Sequence, residues 1–259
     1  MSSLVARRRH PAAIAIVLLL GLILTGGLYA AFAPKNADAA TSDSQAVAAG
    51  HKLFLSNCAT CHGLDASGTQ NGPSLVGVGA ASVDFQVGTG RMPLAAPGVQ
   101  AERHGVQFSN QEISELSAYV ASLGVGPSIP SSSLTSGGGD IAKGGELFRV
   151  NCAMCHNFAG SGGALTRGKF APNLMDVSGR HIYEAMLTGP QSMPVFNDSN
   201  LSPQDKKDII SFLMNVKTES SPGGWSMGNL GPVPEGLFAW TIGIGMLIFI
   251  AVWLGKKAA

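Results

Sequence analysis

The chain has 259 residues, of which 45% are hydrophobic and only 13% are charged, and its formal net charge is +1. This length is compatible with one or two domains. A nearly neutral chain lacks the positive field that nucleic-acid binding requires, so nucleic acid is excluded as an expected partner. Charged residues are scarce compared with the roughly 25% of ordinary soluble domains, because uncharged apolar stretches lie near both ends.

The first apolar stretch covers residues 11–33 and follows three arginines at residues 7–9. Basic residues before an apolar helix hold that end in the cytoplasm. Residues 1–35 are therefore either a retained membrane anchor or a signal peptide cleaved after the A-x-A sequence at 31–33. We favour the anchor, because the run exceeds the roughly 18 residues needed to span a bilayer and the usual core of about 7–15 residues in a signal peptide. Both interpretations place the following chain on the outer side.

All four cysteines occur in two CxxCH pentapeptides, at residues 58–62 and 152–156. Two thiols at this spacing with an adjacent histidine are typical of covalent c-type haem attachment. On a helix, positions i, i+3 and i+4 share one face, so both thiols can reach the porphyrin vinyl groups while the imidazole reaches the iron. The residues expected to bind two haem c groups are Cys58, Cys61, His62, Cys152, Cys155 and His156.

Three other interpretations of the cysteines fit less well. A zinc site built from both pairs would leave two spare histidines and an unusually long loop between its halves. A redox dithiol needs only one pair within a thioredoxin-like βαβ pattern, which the sequence does not show. A disulfide within each pair would not explain why histidine follows both times. The doubled pentapeptide therefore favours haem.

The sequence around each motif repeats at a constant offset. Residues 50–58 align with residues 144–152, and Gly, Leu, Phe, Asn and Cys recur in the same places. A Pro-x-Leu sequence and a Met-Pro sequence follow in both copies. We therefore predict a first repeat, residues 44–125, and a second repeat, residues 141–218. The Gly-, Ser- and Pro-rich linker between them, residues 126–140, has the composition of a flexible connector, which partners could dock in place.

A helix is predicted to close each repeat. Capping boxes mark the starts of these helices, with Ser109 and Glu112 in the first repeat and Ser202 and Asp205 in the second. Apolar residues then recur at helical spacing. These stripes are Ile113, Leu116, Val120 and Leu123, and Ile209, Phe212, Leu213 and Val216.

The last apolar run, residues 236–255, is long enough to span a bilayer. Trp240 and Trp253 fall near its ends, as in an aromatic belt, and Lys256 and Lys257 place the C-terminus in the cytoplasm. Both ends of the chain thus orient the repeats to the outer side of a cell membrane. The alternative is a buried helix of a soluble protein.

Each repeat resembles the small monohaem cytochrome c domain, in its order of helix, CxxCH, Pro-x-Leu, Met-Pro and helix. The resemblance implies an all-α fold of two tandem class I cytochrome c-like domains between N- and C-terminal transmembrane helices. It also implies His62 and Met92 as axial ligands of the first iron, and His156 and Met193 as axial ligands of the second. In that family a proline carbonyl contacts the histidine Nδ1, a role that Pro73 and Pro172 would take here.

Other side chains compete for these roles. Met92 is the only methionine between residues 44 and 125, whereas Met193 is singled out in the second repeat by its following proline. Its rivals are Met154, Met175, Met186 and Met214, and the histidines without a motif are His51, His104 and His181. Arg91, Arg167 and Lys169 are candidates for pairing with haem propionates, or else solvated surface charges.

Across residues 1–259 the chain resembles the dihaem cytochrome c subunit of the actinobacterial-type cytochrome bc complex, a menaquinol–cytochrome c reductase. That resemblance implies electron transfer from a Rieske iron–sulfur protein through two haems to a terminal cytochrome c oxidase. It also implies a cytochrome b partner subunit, which oxidises the quinol, and no quinol site in this chain. The chain would then be part of a respiratory translocase without a catalytic site of its own.

Two other functions stay open from the sequence. One is a free-standing, membrane-tethered dihaem shuttle, which the glycine-rich connectors fit. The other is a dihaem oxidoreductase such as a peroxidase, which needs one haem with an open axial site. The presence of a Met-Pro sequence in both repeats argues against the peroxidase.

Overall fold

The structure is a computed structural model that describes residues 11–32, 37–219, 227 and 232–257. Over these residues it is mostly helical, in agreement with the predicted helical class. The chain divides into two compact parts, residues 1–45 and residues 46–259.

The described portion of the first compact part contains helix α1 (Pro11–Phe32) and the first residues of α2 (Ala37–Asn57). Side chains 14–27 of α1 are exposed. The arginines at residues 7–9 and Ala33, which belong to the predicted N-terminal segment, lie outside the described residues.

The first repeat is built on four helices: α2, α3 (Ala59–His62), α4 (Ala80–Gly88) and α5 (Asn110–Ser122). The predicted capping box is confirmed, because Ser109 accepts a hydrogen bond from the Glu112 amide while the Glu112 carboxylate accepts one from the Ser109 amide. The predicted stripe of α5 forms the core. Phe54 of α2 is 1% exposed and packs on Tyr119 of α5, with ring centroids 5.2 Å apart.

The second repeat has the same plan, with α7 (Ile141–Asn151), α8 (Ala153–His156), α9 (Gly179–Thr188) and α10 (Pro203–Thr218). The capping box of Ser202 and Asp205 is again confirmed. Phe148 of α7 is fully buried and packs on Phe212 of α10, with ring centroids 5.5 Å apart. The two phenylalanines thus play equivalent roles, as their matching positions predict.

A small sheet departs from the all-α prediction. The loop between His156 and Pro172 has 15 residues, against 10 between His62 and Pro73 in the first repeat, and it is rich in glycine. Strands β1 (Gly163–Ala164) and β2 (Phe170–Ala171) pair antiparallel in this loop. The loop composition predicts a flexible surface segment, but Gly160 is buried and its carbonyl accepts a hydrogen bond from the Leu174 amide at 2.7 Å. Backbone pairing therefore orders a stretch that has few side chains to pack.

The linker is hydrogen-bonded to both repeats, although its composition is that of a flexible connector. The Pro127 carbonyl accepts a hydrogen bond from the Ala81 amide at 3.1 Å. At its other end, the Gly139 amide donates to Ser211 Oγ at 2.8 Å and the Asp140 amide donates to Asp208 Oδ1 at 2.9 Å. A short helix, α6 (Ser132–Thr135), lies between these points. The linker backbone is therefore held by partners far away in sequence.

Helices α4 and α9 bring the two repeats together. Arg180 of α9 forms an ion pair with Asp84 of α4, with Nη2 and Oδ1 2.5 Å apart. The His181 ring meets the edge of the Phe85 ring at a centroid distance of 6.2 Å. The contact is tight, because a methyl group added at Gly88 would lie 3.0 Å from His181 Nε2.

The last helix, α11, covers Pro232–Lys257. Within the described parts of the chain it is the one helix, from Val233 to Lys257, that is long and apolar enough to cross a membrane, and its most apolar stretch is unburied. The described apolar stretch of α1, Ala12–Gly27, is shorter. Exposed apolar side chains on this scale need lipid or partner helices as cover.

Candidate haem sites

Each CxxCH motif forms a single helical turn directly after the first long helix of its repeat. The His62 amide donates to the Cys58 carbonyl at 3.0 Å, and the His156 amide donates to the Cys152 carbonyl at 2.9 Å. This i, i+4 geometry brings the first cysteine and the histidine of each motif onto one side of the turn. The spacing of the motif is thus realised in both repeats.

Both histidine rings contact a proline carbonyl. His62 Nδ1 lies 2.7 Å from the Pro73 oxygen, and His156 Nδ1 lies 3.0 Å from the Pro172 oxygen. Because a carbonyl can only accept, Nδ1 carries the proton in this arrangement, which leaves Nε2 as the lone-pair donor for a metal. Burial lowers the pKa of His156, which keeps that imidazole neutral, although its bond to Pro172 acts in the opposite direction.

The four thiols are free. Burial raises the pKa of Cys58 to about 11 and that of Cys152 to about 12, and the neighbouring cysteine of each pair adds to the effect. Burial thus favours the neutral form of the first thiol in each pair, and a neutral thiol can add across a vinyl group of a porphyrin.

Each predicted axial methionine lies beside the core of its own repeat. Met92 and Cys58 are partly buried against the cluster that contains Phe54 and Leu116. Met193 packs against the cluster of the second repeat, which includes Cys152 itself. The structure thus brings a thiol and the predicted methionine to the same apolar cluster in both repeats.

A cavity adjoins the second motif, and we call it the second-repeat cavity. Its lining includes Cys152, Cys155, His156, Pro172 and Met193. It contains about 1110 Å³ of atom-free space, which includes space open to solvent. Apolar side chains dominate the lining, so the donor set and the cavity both fit a haem group. Other lining residues include Phe148, Leu174, Ile182, Met186, Ile209 and Leu213.

Four of the competing side chains have surroundings that bear on these assignments. Met154 is 92% exposed, whereas Met186 is 2% exposed within the core and also lines the second-repeat cavity. His51 stacks on Tyr119 at a centroid distance of 4.8 Å. His181 lines the second-repeat cavity but also faces Asp84, with Nε2 and Oδ2 3.8 Å apart.

The residues that join the two repeats could not be identified from the sequence. Asp84 and Glu184 are both buried, and each has one carboxylate oxygen without a hydrogen-bond partner among the described residues. Burial and, to a smaller extent, the neighbouring Asp84 together raise the pKa of Glu184 to about 9, against the opposing effect of Arg180. The sequence contains a local signal for the start of α9, because Ser178 caps that helix. Helix α4 begins after Gly79 without a side-chain cap.

Comparisons with known proteins agree with this geometry. Residues 47–124 match the family model described as cytochrome c. Residues 139–213 match the model described as cytochrome c oxidase, cbb3-type, subunit III. Cytochrome c domains imply covalently bound haem c, so the chain is a haem protein of electron transport.

Three relatives that match nearly the whole chain share the description "cytochrome bc1 complex cytochrome c subunit". The protein of Corynebacterium efficiens is 44% identical over 96% of this chain and 90% of its own length. The Mycobacterium leprae protein is 44% identical over 94% of this chain and 87% of its own length. The Corynebacterium diphtheriae protein is 43% identical over 98% of this chain and 97% of its own. The chain therefore belongs to the family of cytochrome c subunits of the cytochrome bc1 complex.

Proposed function

We propose that the chain carries two haem c groups, one on each CxxCH motif, within domains at residues 44–125 and 141–218. The observation that carries this proposal is the duplicated site, in which each histidine Nδ1 contacts a proline carbonyl beside two free thiols. Cys58 and Cys61 would anchor the first haem. Cys152 and Cys155 would anchor the second.

The axial ligands in this proposal are His62 with Met92 and His156 with Met193. The proline carbonyls fix the imidazole planes and direct Nε2 towards the iron. A haem bound in this way passes single electrons, because histidine and methionine fill both axial positions and raise the iron potential. The location of Met92 and Met193, partly buried against the apolar clusters, supports their role, since it places each thioether beside the core of its own repeat.

We further propose that the two haems work in series within a respiratory quinol–cytochrome c reductase. Electrons enter from a Rieske iron–sulfur subunit and leave to a terminal cytochrome c oxidase, while a cytochrome b subunit oxidises the quinol. Family membership over nearly the full chain supports this assignment. The contact between α4 and α9 supports transfer in series, because it holds the two repeats against each other.

The proposal includes two membrane spans, with residues 1–35 as a retained anchor and residues 236–255 as the second span. The repeats would lie on the outer side of the membrane. The unburied apolar surface of α11 and the lysines that end it support this orientation. Protease treatment of intact cells tests the orientation, since cleavage between the repeats from outside is expected.

The central test is to purify the tagged chain from its native membrane in mild detergent and record a reduced-minus-oxidised spectrum. A b-type band retained with the c-type band, together with reduction by quinol, is the result expected of a fixed subunit. A c-type band alone would favour the free-standing shuttle. High-spin ferric haem without added ligand would favour the peroxidase.

A further inference from the structure

Arg91 of the first repeat is unusually buried for an arginine, at 7% exposure. Its Nη1 donates to Thr89 Oγ1 at 2.7 Å, and its guanidinium lies 4.9 Å from the centroid of the Phe85 ring. Neither contact supplies a negative charge. Within the described residues, Arg91 forms no ion pair with a carboxylate. A buried charge normally requires such a partner.

A second arginine, Arg103, lies close by. Its guanidinium lowers the pKa of Arg91, in addition to the larger effect of burial. Arg103 donates to the Asp176 carbonyl of the second repeat at 3.4 Å, and it too has no carboxylate partner among the described residues. Two neighbouring cations without an anion are unfavourable, so this place is electrostatically suited to an anionic ligand.

Both arginines belong to the first repeat, yet both line the second-repeat cavity. The segment that carries them is fixed to the second repeat. Gln100 exchanges two hydrogen bonds with the backbone of Phe170, each 2.9 Å long, and the Ala101 amide donates to Gln191 Oε1 at 3.3 Å. The described lining of the cavity includes no carboxylate. An apolar cavity with two arginines matches a ligand that combines an apolar plate with carboxylates.

We propose that Arg91 and Arg103 form a carboxylate-binding site that holds the propionates of the second haem from the neighbouring repeat. The inference rests on the proposed function, because it requires haem c on the second motif. Guanidinium groups bind carboxylates through paired, charge-assisted hydrogen bonds. Thr89 and Phe85 hold the Arg91 side chain ready for this contact. The second haem is then bound by both repeats, and its charge environment is set partly by the first.

The test compares Arg103→Gln and Arg91→Gln with Arg149→Gln in the full-length chain. Arg149 is exposed on α7 and lies outside the cavity lining. Arg149→Gln removes the same charge and therefore serves as the matched control. Midpoint potentials of both haems are measured by spectroelectrochemical titration. The second haem is assigned with Met193→His, which should move its potential alone. Losing a cation beside the propionates disfavours the reduced haem, so both test variants should lower the second potential, Arg91→Gln more than Arg103→Gln.

Conservative variants separate charge from structure. Arg103→Lys and Arg91→Lys keep the positive charge, so the potential of the second haem should stay close to that of the unsubstituted chain. A merely structural role would leave these variants as impaired as the glutamine variants. Arg103 is exposed, so Arg103→Gln should fold even if the buried Arg91 does not tolerate glutamine. Circular dichroism of each variant checks this.

Three results would overturn the inference. The first is an unchanged second potential in both glutamine variants, and the second is a shift confined to the first haem. The third is a shift of equal size in Arg149→Gln. Mass spectrometry of the peptide that contains Cys152 and Cys155 keeps the two proposals apart. A peptide without haem refutes the proposed function itself, whereas a haem-bearing peptide with unmoved potentials refutes only the arginine site.

Discussion

Gly50 in the first repeat and Gly144 in the second occupy equivalent positions. Each sets the closest approach between two helices of its own repeat. A methyl group added at Gly50 would lie 2.0 Å from the Glu115 carbonyl oxygen, and one added at Gly144 would lie 2.0 Å from the Asp208 carbonyl oxygen. Both obstacles are helix backbone, which cannot rotate away. We therefore predict that Gly50→Ala and Gly144→Ala each force two helices apart.

The size of the effect follows from the distances. Ordinary contact begins at 3.4 Å, so the helices must separate by about 1.4 Å to accommodate a methyl group now placed at 2.0 Å. Overpacking on this scale costs about 1–3 kcal/mol, and sometimes more. Alanine recovers roughly 0.5–1 kcal/mol through its better helix propensity. We expect a net loss of about 1–2 kcal/mol, which changes the folding equilibrium of that repeat by a factor of roughly 5–30.

Chemical denaturation of the full-length chain in detergent measures this loss. Far-UV circular dichroism follows the helices and haem absorbance follows the haem environment, and a lower midpoint is expected at similar slope. Gly105→Ala is the control, because nothing lies within 4 Å of the added methyl group. If Gly50→Ala and Gly144→Ala unfolded at the same denaturant concentration as this control, the reasoning from helix contact would be refuted.

Three further predictions concern the haem ligands and the buried acid. Met92→Ala and Met193→Ala should each lower the potential of one haem, by on the order of 0.1 V within the roughly 0.8 V that axial ligands control; unmoved potentials would contradict the ligand assignment. Cys58→Ser/Cys61→Ser should cost the first repeat its helicity and protease resistance, because a core this small needs the covalent haem. The raised pKa of Glu184 means that stability falls as pH rises from its ordinary 4.5 towards about 9, and Glu184→Gln should flatten that fall in pH-dependent denaturation.

Features encoded by neighbouring residues could be predicted from the sequence. The helix starts at Ser109 and Ser202 depend on residues only three positions apart, and the structure confirms both. The CxxCH motifs are equally local, because one helical turn fixes their geometry. The roles of Met92 and Met193 as iron ligands stay predictions, since they depend on a group that is bound by parts of the chain far apart in sequence.

Features encoded by distant residues could not be predicted. The linker has a flexible composition, but its backbone is held by Ser211 and Asp208, roughly seventy residues away. Helix α4 has no capping side chain, and its buried face is defined by the helices that pack on it. Local propensity therefore gives little information wherever a segment obtains its hydrogen bonds and apolar contacts from the other repeat.

Arg91 illustrates how contacts between residues far apart in sequence change the assignment of a functional residue. It precedes Met92, so its position in the sequence associates it with the first haem. The structure instead directs its guanidinium into the lining of the second-repeat cavity. In the proposed assignment these two adjacent residues serve different haems, one on each repeat, and a single short segment connects them. A substitution that shifts this segment should therefore alter both haems together, whereas removal of the Arg103 charge should alter the second alone.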